Sequence, residues 1–114
     1  MSRCYHGNCL QPKPIVVCLC GSTRFKEAFI QASRVETLQG KIVLSVGLFG
    51  HEEGLDMDGE VKGMLDRLHL SKIDLADEIL FLNVGGYIGS STSRELEYAK
   101  AKGKVIRFLE DMEH

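Results

Sequence analysis

The sequence predicts an α/β fold built on a mostly parallel sheet of about four strands. Two short runs, Ile15-Val16-Val17-Cys18-Leu19-Cys20 and Glu78-Ile79-Leu80-Phe81-Leu82, are almost continuously apolar, the pattern of strands covered on both faces. Between the strand-like runs, apolar residues recur at helical spacing. Strand and helix then alternate along the chain. That order calls for crossover connections, and hence parallel pairing.

Residues 1–13 read as a polar N-terminal tail, 14–110 as one domain and 111–114 as a short acidic tail. Pro12 and Pro14 oppose regular structure ahead of the first strand at residues 15–20. Phe25, Phe29, Ala32, Val35 and Leu38 form the apolar face of a first helix. Ser22 or Thr23 is its expected cap, Glu27 suits its first turn and Gly40 its stop. Residues 41–45 read as a second strand, and residues 46–58 as an irregular loop over the site, carrying His51-Glu52. A helix over 60–76 presents Val61, Met64, Leu65 and Leu68 as one stripe, extended by Ile73 and Ala76, with Asp58 as cap. The third strand, 78–82, leads into a glycine- and serine-rich turn at 83–92. A last helix over 93–102 follows, with Thr92-x-x-Glu95 fitting a capping box and Gly103 a stop. Residues 104–109 close as a fourth strand. The order βαβαβαβ makes a small Rossmann-like three-layer sandwich with right-handed crossovers. Ligands of such sheets collect at the carboxyl ends of the strands.

The chain of 114 residues fits one domain, and its 44% hydrophobic and 26% charged content is ordinary for a globular protein. A net charge of −2 gives no basic footprint for duplex nucleic acid or an acidic membrane. No apolar run approaches the roughly 18 residues of a membrane span, and the N-terminus lacks the apolar stretch of a signal peptide. A cytoplasmic location is therefore expected, with the four cysteines reduced. A core of this modest size favours association into a homo-oligomer. Cys4-x4-Cys9 with Cys18-x-Cys20 is poor spacing for zinc, the second pair being read as pointing to opposite faces of its strand. No metal and no cofactor are expected.

Two turns at strand ends carry chemistry. In Cys20-Gly-Ser-Thr-Arg24, Gly21 lets a ligand approach the backbone and Ser22 and Thr23 offer hydroxyls. The following helix N-terminus suits an anion, and Arg24 offers a fork to a phosphate. The segment Gly85-Gly86-Tyr87-Ile88-Gly89-Ser90-Ser91-Thr92 repeats the arrangement, with Gly86, Gly89, Ser90 and Ser91 as binding candidates. It is neither a GxxxxGK[ST] loop nor a GxGxxG turn after the first strand. Each turn also has a purely structural reading. Glu95, just beyond the second turn, can point back into the site and attack a sugar carbon. The helix N-terminus is expected to lower its pKa. Its position equally suits a capping carboxylate. Glu97 falls on the solvent side. His69, near Asp66, Asp74 and Asp77, is a candidate proton donor or sugar-hydroxyl partner, and His51 a weaker one.

These residues carry a resemblance. Cys20-Gly-Ser-Thr-Arg24 resembles the Cys-Gly-Ser-x-Arg turn of 2′-deoxynucleoside 5′-phosphate N-hydrolases. Asp74-Leu-Ala-Asp-Glu-Ile-Leu80 is similar to that superfamily's helix-to-strand junction. Ser93-Arg-Glu95-Leu-Glu-Tyr-Ala99, followed by Gly103-Lys-Val-Ile106, resembles the glutamate motif of nucleoside 2-deoxyribosyltransferases. The resemblance covers about residues 14–109. It implies a parallel Rossmann-like sheet, a dimer or larger oligomer whose partner subunit helps complete the site, and cleavage of an N-glycosidic bond. Glu95 would be the nucleophile, and Gly21, Ser22 and Arg24 would hold the phosphate or sugar. Gly89 to Ser91 cover the place of a family Ser or Asp. The chain departs from the pattern at Gly89, at His69, which stands where the family has an Asp, and at Cys18, which replaces a strand-end Tyr. The resemblance implies cleavage or transfer on a nucleoside or nucleoside monophosphate. The alternative is a non-catalytic nucleotide-binding or sensor module on the same frame.

Overall fold

The computed structural model describes residues 13–47 and 59–110. Strand β1 (Val16–Cys20) is followed by α1 (Lys26–Leu38), β2 (Ile42–Leu44), α2 (Gly59–Leu75) and β3 (Glu78–Phe81). A 3-10 turn (Val84–Gly86), α3 (Ser90–Ala101) and β4 (Val105–Phe108) complete the order. The strands lie in the order β2-β1-β3-β4, and every neighbouring pair is parallel. The alternation read from the sequence is the architecture of the protein. The tail cysteines Cys4 and Cys9, His51, Asp58 and most of the 46–58 loop lie outside the described residues.

The central strands are covered on both faces. Val17, Leu19, Leu80 and Leu82 pack with Phe29 and Ala32 of α1. Cys18, Cys20, Ile79 and Phe81 pack on the other face with Ile73 and Ala76, at the end of α2, and with Ala99 of α3. This is why both runs are continuously apolar. The edge strands differ, with Ile42 and Val105 exposed.

Two helices end as expected. Gly40 and Gly103 take positive φ, +86° and +71°. Each follows the last helical turn, with the paired return hydrogen bonds of a Schellman motif. A residue with a Cβ would be strained there. Asp77 fastens the entry of the sheet. Its amide donates to the Val16 carbonyl at 2.7 Å, and its carboxylate accepts from the Val16 amide at 2.9 Å. Lys104 donates to the Asp74 and Ala76 carbonyls at the end of α2, and Tyr98 donates its hydroxyl to the Asp74 carboxylate.

The helix faces differ from the periodic reading. In α1, Val35 and Leu38 are exposed, and the inward set is Phe29, Ala32 and Glu36. In α2, Met64 and Leu68 are exposed, and His69 and Ile73 are buried. Spacing located the helices but not their rotation, because buried polar partners took positions that an apolar count leaves out. Neither Ser22 nor Thr23 caps α1. Phe25 occupies the cap position without a side-chain cap bond, and Ser22 closes a turn by accepting from the Arg24 amide.

Glu36 is buried because cations meet it. Arg107 donates to its carboxylate at 2.6 Å and Lys41 at 3.1 Å. Glu78 pairs with both cations, at 3.1 Å to Arg107 and 3.4 Å to Lys41. The four charges tie α1 to both sheet edges. A buried carboxylate without such partners is costly. Burial alone would raise the Glu36 pKa, but the bonds from Arg107 and Lys41 outweigh it and hold the carboxyl below 4.5. The stabilisation is therefore complete above that pH and lost as pH falls through the lowered pKa. A Glu36→Gln variant should show a flatter acid limb in melting temperature against pH. Arg107→Ala should cost about 2 kcal/mol at neutral pH in denaturant unfolding, and an unchanged midpoint would remove the cluster's structural role.

Candidate functional site

Strand β2 lies on one side of β1 and β3 on the other, so the chain diverges at β1. A crevice opens where the loops after β1 and β3 part. It holds a cleft of about 710 Å³. One wall is the β1–α1 turn, Gly21 to Arg24, and the opposite wall is Tyr87 with Gly89 to Thr92. From α2 come Asp66, His69 and Lys72 among others, from the segment after β2 Val46 and Gly47, and from α3 Glu95. Nine of the ten residues selected from sequence, Gly21, Ser22, Thr23, Arg24, His69, Gly89, Ser90, Ser91 and Glu95, thus line one cleft.

Gly86 is the exception and does not line it. With Gly85 it takes positive φ, at +80° and +64°, in the 3-10 turn. That turn is fastened away from the cleft. Asn83 exchanges two 2.9 Å hydrogen bonds with the Glu110 backbone, and the Gly85 amide donates to the Glu110 carboxylate. The glycine-rich segment is therefore half structural turn and half site wall.

Helix α3 begins at Ser90, with Gly89 as its cap residue, three residues earlier than the sequence pattern suggests. Thr92-x-x-Glu95 is consequently no capping box. Ser90, Ser91 and Thr92 form the first turn, whose amides have no acceptor within the helix. Glu95 sits in the second turn, on the inward face shared by the buried Thr92 and Ala99. The expected lowering of its pKa is reversed. Burial raises it, opposed by His69 and reinforced by the charge of Cys18. The helix dipole acts only over the first turn, and Glu95 lies beyond it.

His69 faces sulfur. Its Nε2 stands 3.2 Å from Cys20 Sγ and 3.9 Å from Cys18 Sγ. Cys18 and Cys20 were read as pointing to opposite faces, but a two-residue step is one full period of the pleat, so both thiols share a face. The Cys20 hydrogen bond lowers the Cys18 pKa to about 6, against burial and with help from His69. The same bond and burial raise Cys20. Burial would lower His69, but the Cys18 thiolate raises it. The thiols and the imidazole thus stand together behind Glu95, and each favours the charged form of its neighbour.

Two aromatic contacts and one cation were not singled out in the sequence. Arg24 lies over the Tyr87 ring, 4.9 Å from its centroid, and Phe25 meets the same ring edge-on at 6.0 Å. Tyr87 therefore joins the two loops across the cleft mouth. Lys72, which lines the cleft, donates to the Ser45 carbonyl at 2.6 Å. Lysine at an i+3 step from His69 was the available signal. No comparable signal marked Tyr87, whose role depends on the loops meeting.

The sequence matches no protein-family model and no curated protein. Among the described residues no helix is long and apolar enough to cross a membrane.

Gly21 is fixed by packing. A Cβ there would stand 3.2 Å from both the Leu82 Cβ and the Leu82 carbonyl oxygen. Gly21→Ala should destabilise the protein by about 1–3 kcal/mol through overpacking. Gly86→Ala meets no neighbour within 4 Å and should cost only its positive-φ strain, about 1–2 kcal/mol. Denaturant titration of both variants distinguishes crowding from strain. An unchanged Gly21→Ala midpoint would contradict the close approach.

Proposed function

We propose that the protein cleaves or transfers the N-glycosidic bond of a nucleoside or nucleoside monophosphate, with Glu95 as nucleophile. The observation that carries this reading is the carboxylate of Glu95 in a cleft walled by two anion-ready turns. A phosphate bound by Arg24 and the free amides of α3's first turn leaves the sugar within the cleft, toward Glu95. The carboxylate attacks the anomeric carbon, and the bond to the base breaks. The departing nitrogen takes the electron pair and a proton from the medium. A glycosyl ester on Glu95 remains. Water, or the nitrogen of a second base, attacks the same carbon, releases the carboxylate and restores the original anomeric configuration.

His69 serves this reaction as a positioning residue. Its Nε2 is engaged with the thiols, and the imidazole, when protonated, favours the ionised form of Glu95. Oligomeric association, and a partner's contribution to the site, belong to the same proposal.

The test is free-base release from a panel of ribo- and deoxyribonucleosides and their 5′-monophosphates, followed by chromatography. Glu95→Gln should lower the rate by at least about 100-fold while thermal stabilisation by the same nucleotide persists. Equal background release from wild type and variant would overturn the catalytic reading. Stabilisation without release would support a binding or sensor module instead. Arg24→Ala should raise KM for monophosphates more than for nucleosides. Because Glu95 is raised above 4.5 and must be ionised to attack, release should fall on the acid side with a midpoint above that value.

A further inference from the structure

We propose that Cys18, Cys20 and His69 form a binding site for a thiophilic divalent cation, zinc. The inference does not depend on the glycosidic reaction. Its ground is the donor set and its placement. Two thiols on one face of β1 and one imidazole nitrogen from α2 converge, and all three ligand atoms lie within 4.8 Å of one another. Tetrahedral zinc holds sulfur at about 2.3 Å and nitrogen at about 2.0–2.1 Å, so a sulfur and a nitrogen on one ion stand about 3.6 Å apart. The observed separations of 3.2 Å and 3.9 Å bracket that value.

The surroundings favour a metal over bare polar groups. Cys18 and Cys20 are fully buried and His69 is 7% exposed. Two thiolates neutralise a divalent cation, so the loaded site carries no net charge into the core. The fourth position of a tetrahedral site is left to water on the cleft side, which Glu95 also lines. Lys72, the cation that acts on this cluster, is held on the Ser45 carbonyl. His69 and Glu95 also line the cleft, which gives the ion its way in. Soft sulfur donors with one imidazole select zinc over magnesium or calcium.

The experiment uses the full chain with Cys4 and Cys9 changed to serine, so that the N-terminal thiols contribute nothing. Cobalt(II) is the optical probe and zinc the competitor. One equivalent of cobalt should give a thiolate charge-transfer band and the intense visible bands of a tetrahedral site, and zinc should abolish both. Cys18→Ser, Cys20→Ser and His69→Ala, checked for folding by circular dichroism, should each weaken binding more than about 100-fold, beyond the loss expected for an outer contact. Absence of the bands, or bands that persist in these variants, would overturn the site. Should a variant not fold, X-ray absorption of the zinc-loaded parent decides. Two sulfur and two light-atom neighbours are expected, and any other sulfur count overturns the assignment. Because the readout is coordination and not turnover, failure here leaves the glycosidic proposal standing, and failure of base release leaves the metal site standing.

Discussion

The structure depends on the burial of β1 and β3 on both faces. Strands placed between two helical layers can admit almost no polar side chain except one that has a partner. Among the described residues four polar side chains are buried, and two of them are informative. Glu36 is admitted because Arg107 and Lys41 meet it. His69 is admitted because two thiols of β1 face it. With the strand bodies so constrained, variation is left to their carboxyl ends. The divergence of the chain at β1 opens those ends into a cleft.

The residues that carry the family resemblance divide into two groups. Asp77 closes the start of the sheet against Val16, while Tyr98 and Lys104 secure the end of α2. These hold the frame. Gly21, Ser22, Arg24 and Glu95 line the cleft. The junction motif and much of the last-helix motif therefore support the architecture more strongly than the reaction. Glu95 is the point where the two groups meet, since it sits in the last-helix motif and faces the cleft.

Electrostatics in the cleft wall are set by proximity. Cys18, His69 and Glu95 are each mostly removed from water, and each shifts the others. Cys18 raises the pKa of His69, His69 lowers that of Glu95, and burial opposes the charged form of each. Such mutual dependence makes the wall responsive to anything that changes one member, whether a proton, a bound anion or a cation.

The sequence by itself determined the order of elements, the parallel sheet, the helix stops at Gly40 and Gly103, and nine residues of the cleft. The elements follow from local rules, namely apolar runs, helical periodicity and the backbone freedom of glycine at the end of a helix, and the cleft residues from the chemistry of the turns at the strand ends. The tertiary structure decided the rotation of α1 and α2 about their axes, since charged and sulfur partners from other elements drew Glu36 and His69 inward. It also moved Gly86 out of the site, because Glu110, twenty-four residues later, fastens that turn. And it changed the status of Glu95. Beginning α3 at Ser90 takes this carboxylate out of the capping position and carries it to the buried face. A residue that serves a helix end in the one-dimensional pattern therefore faces a cleft in three dimensions.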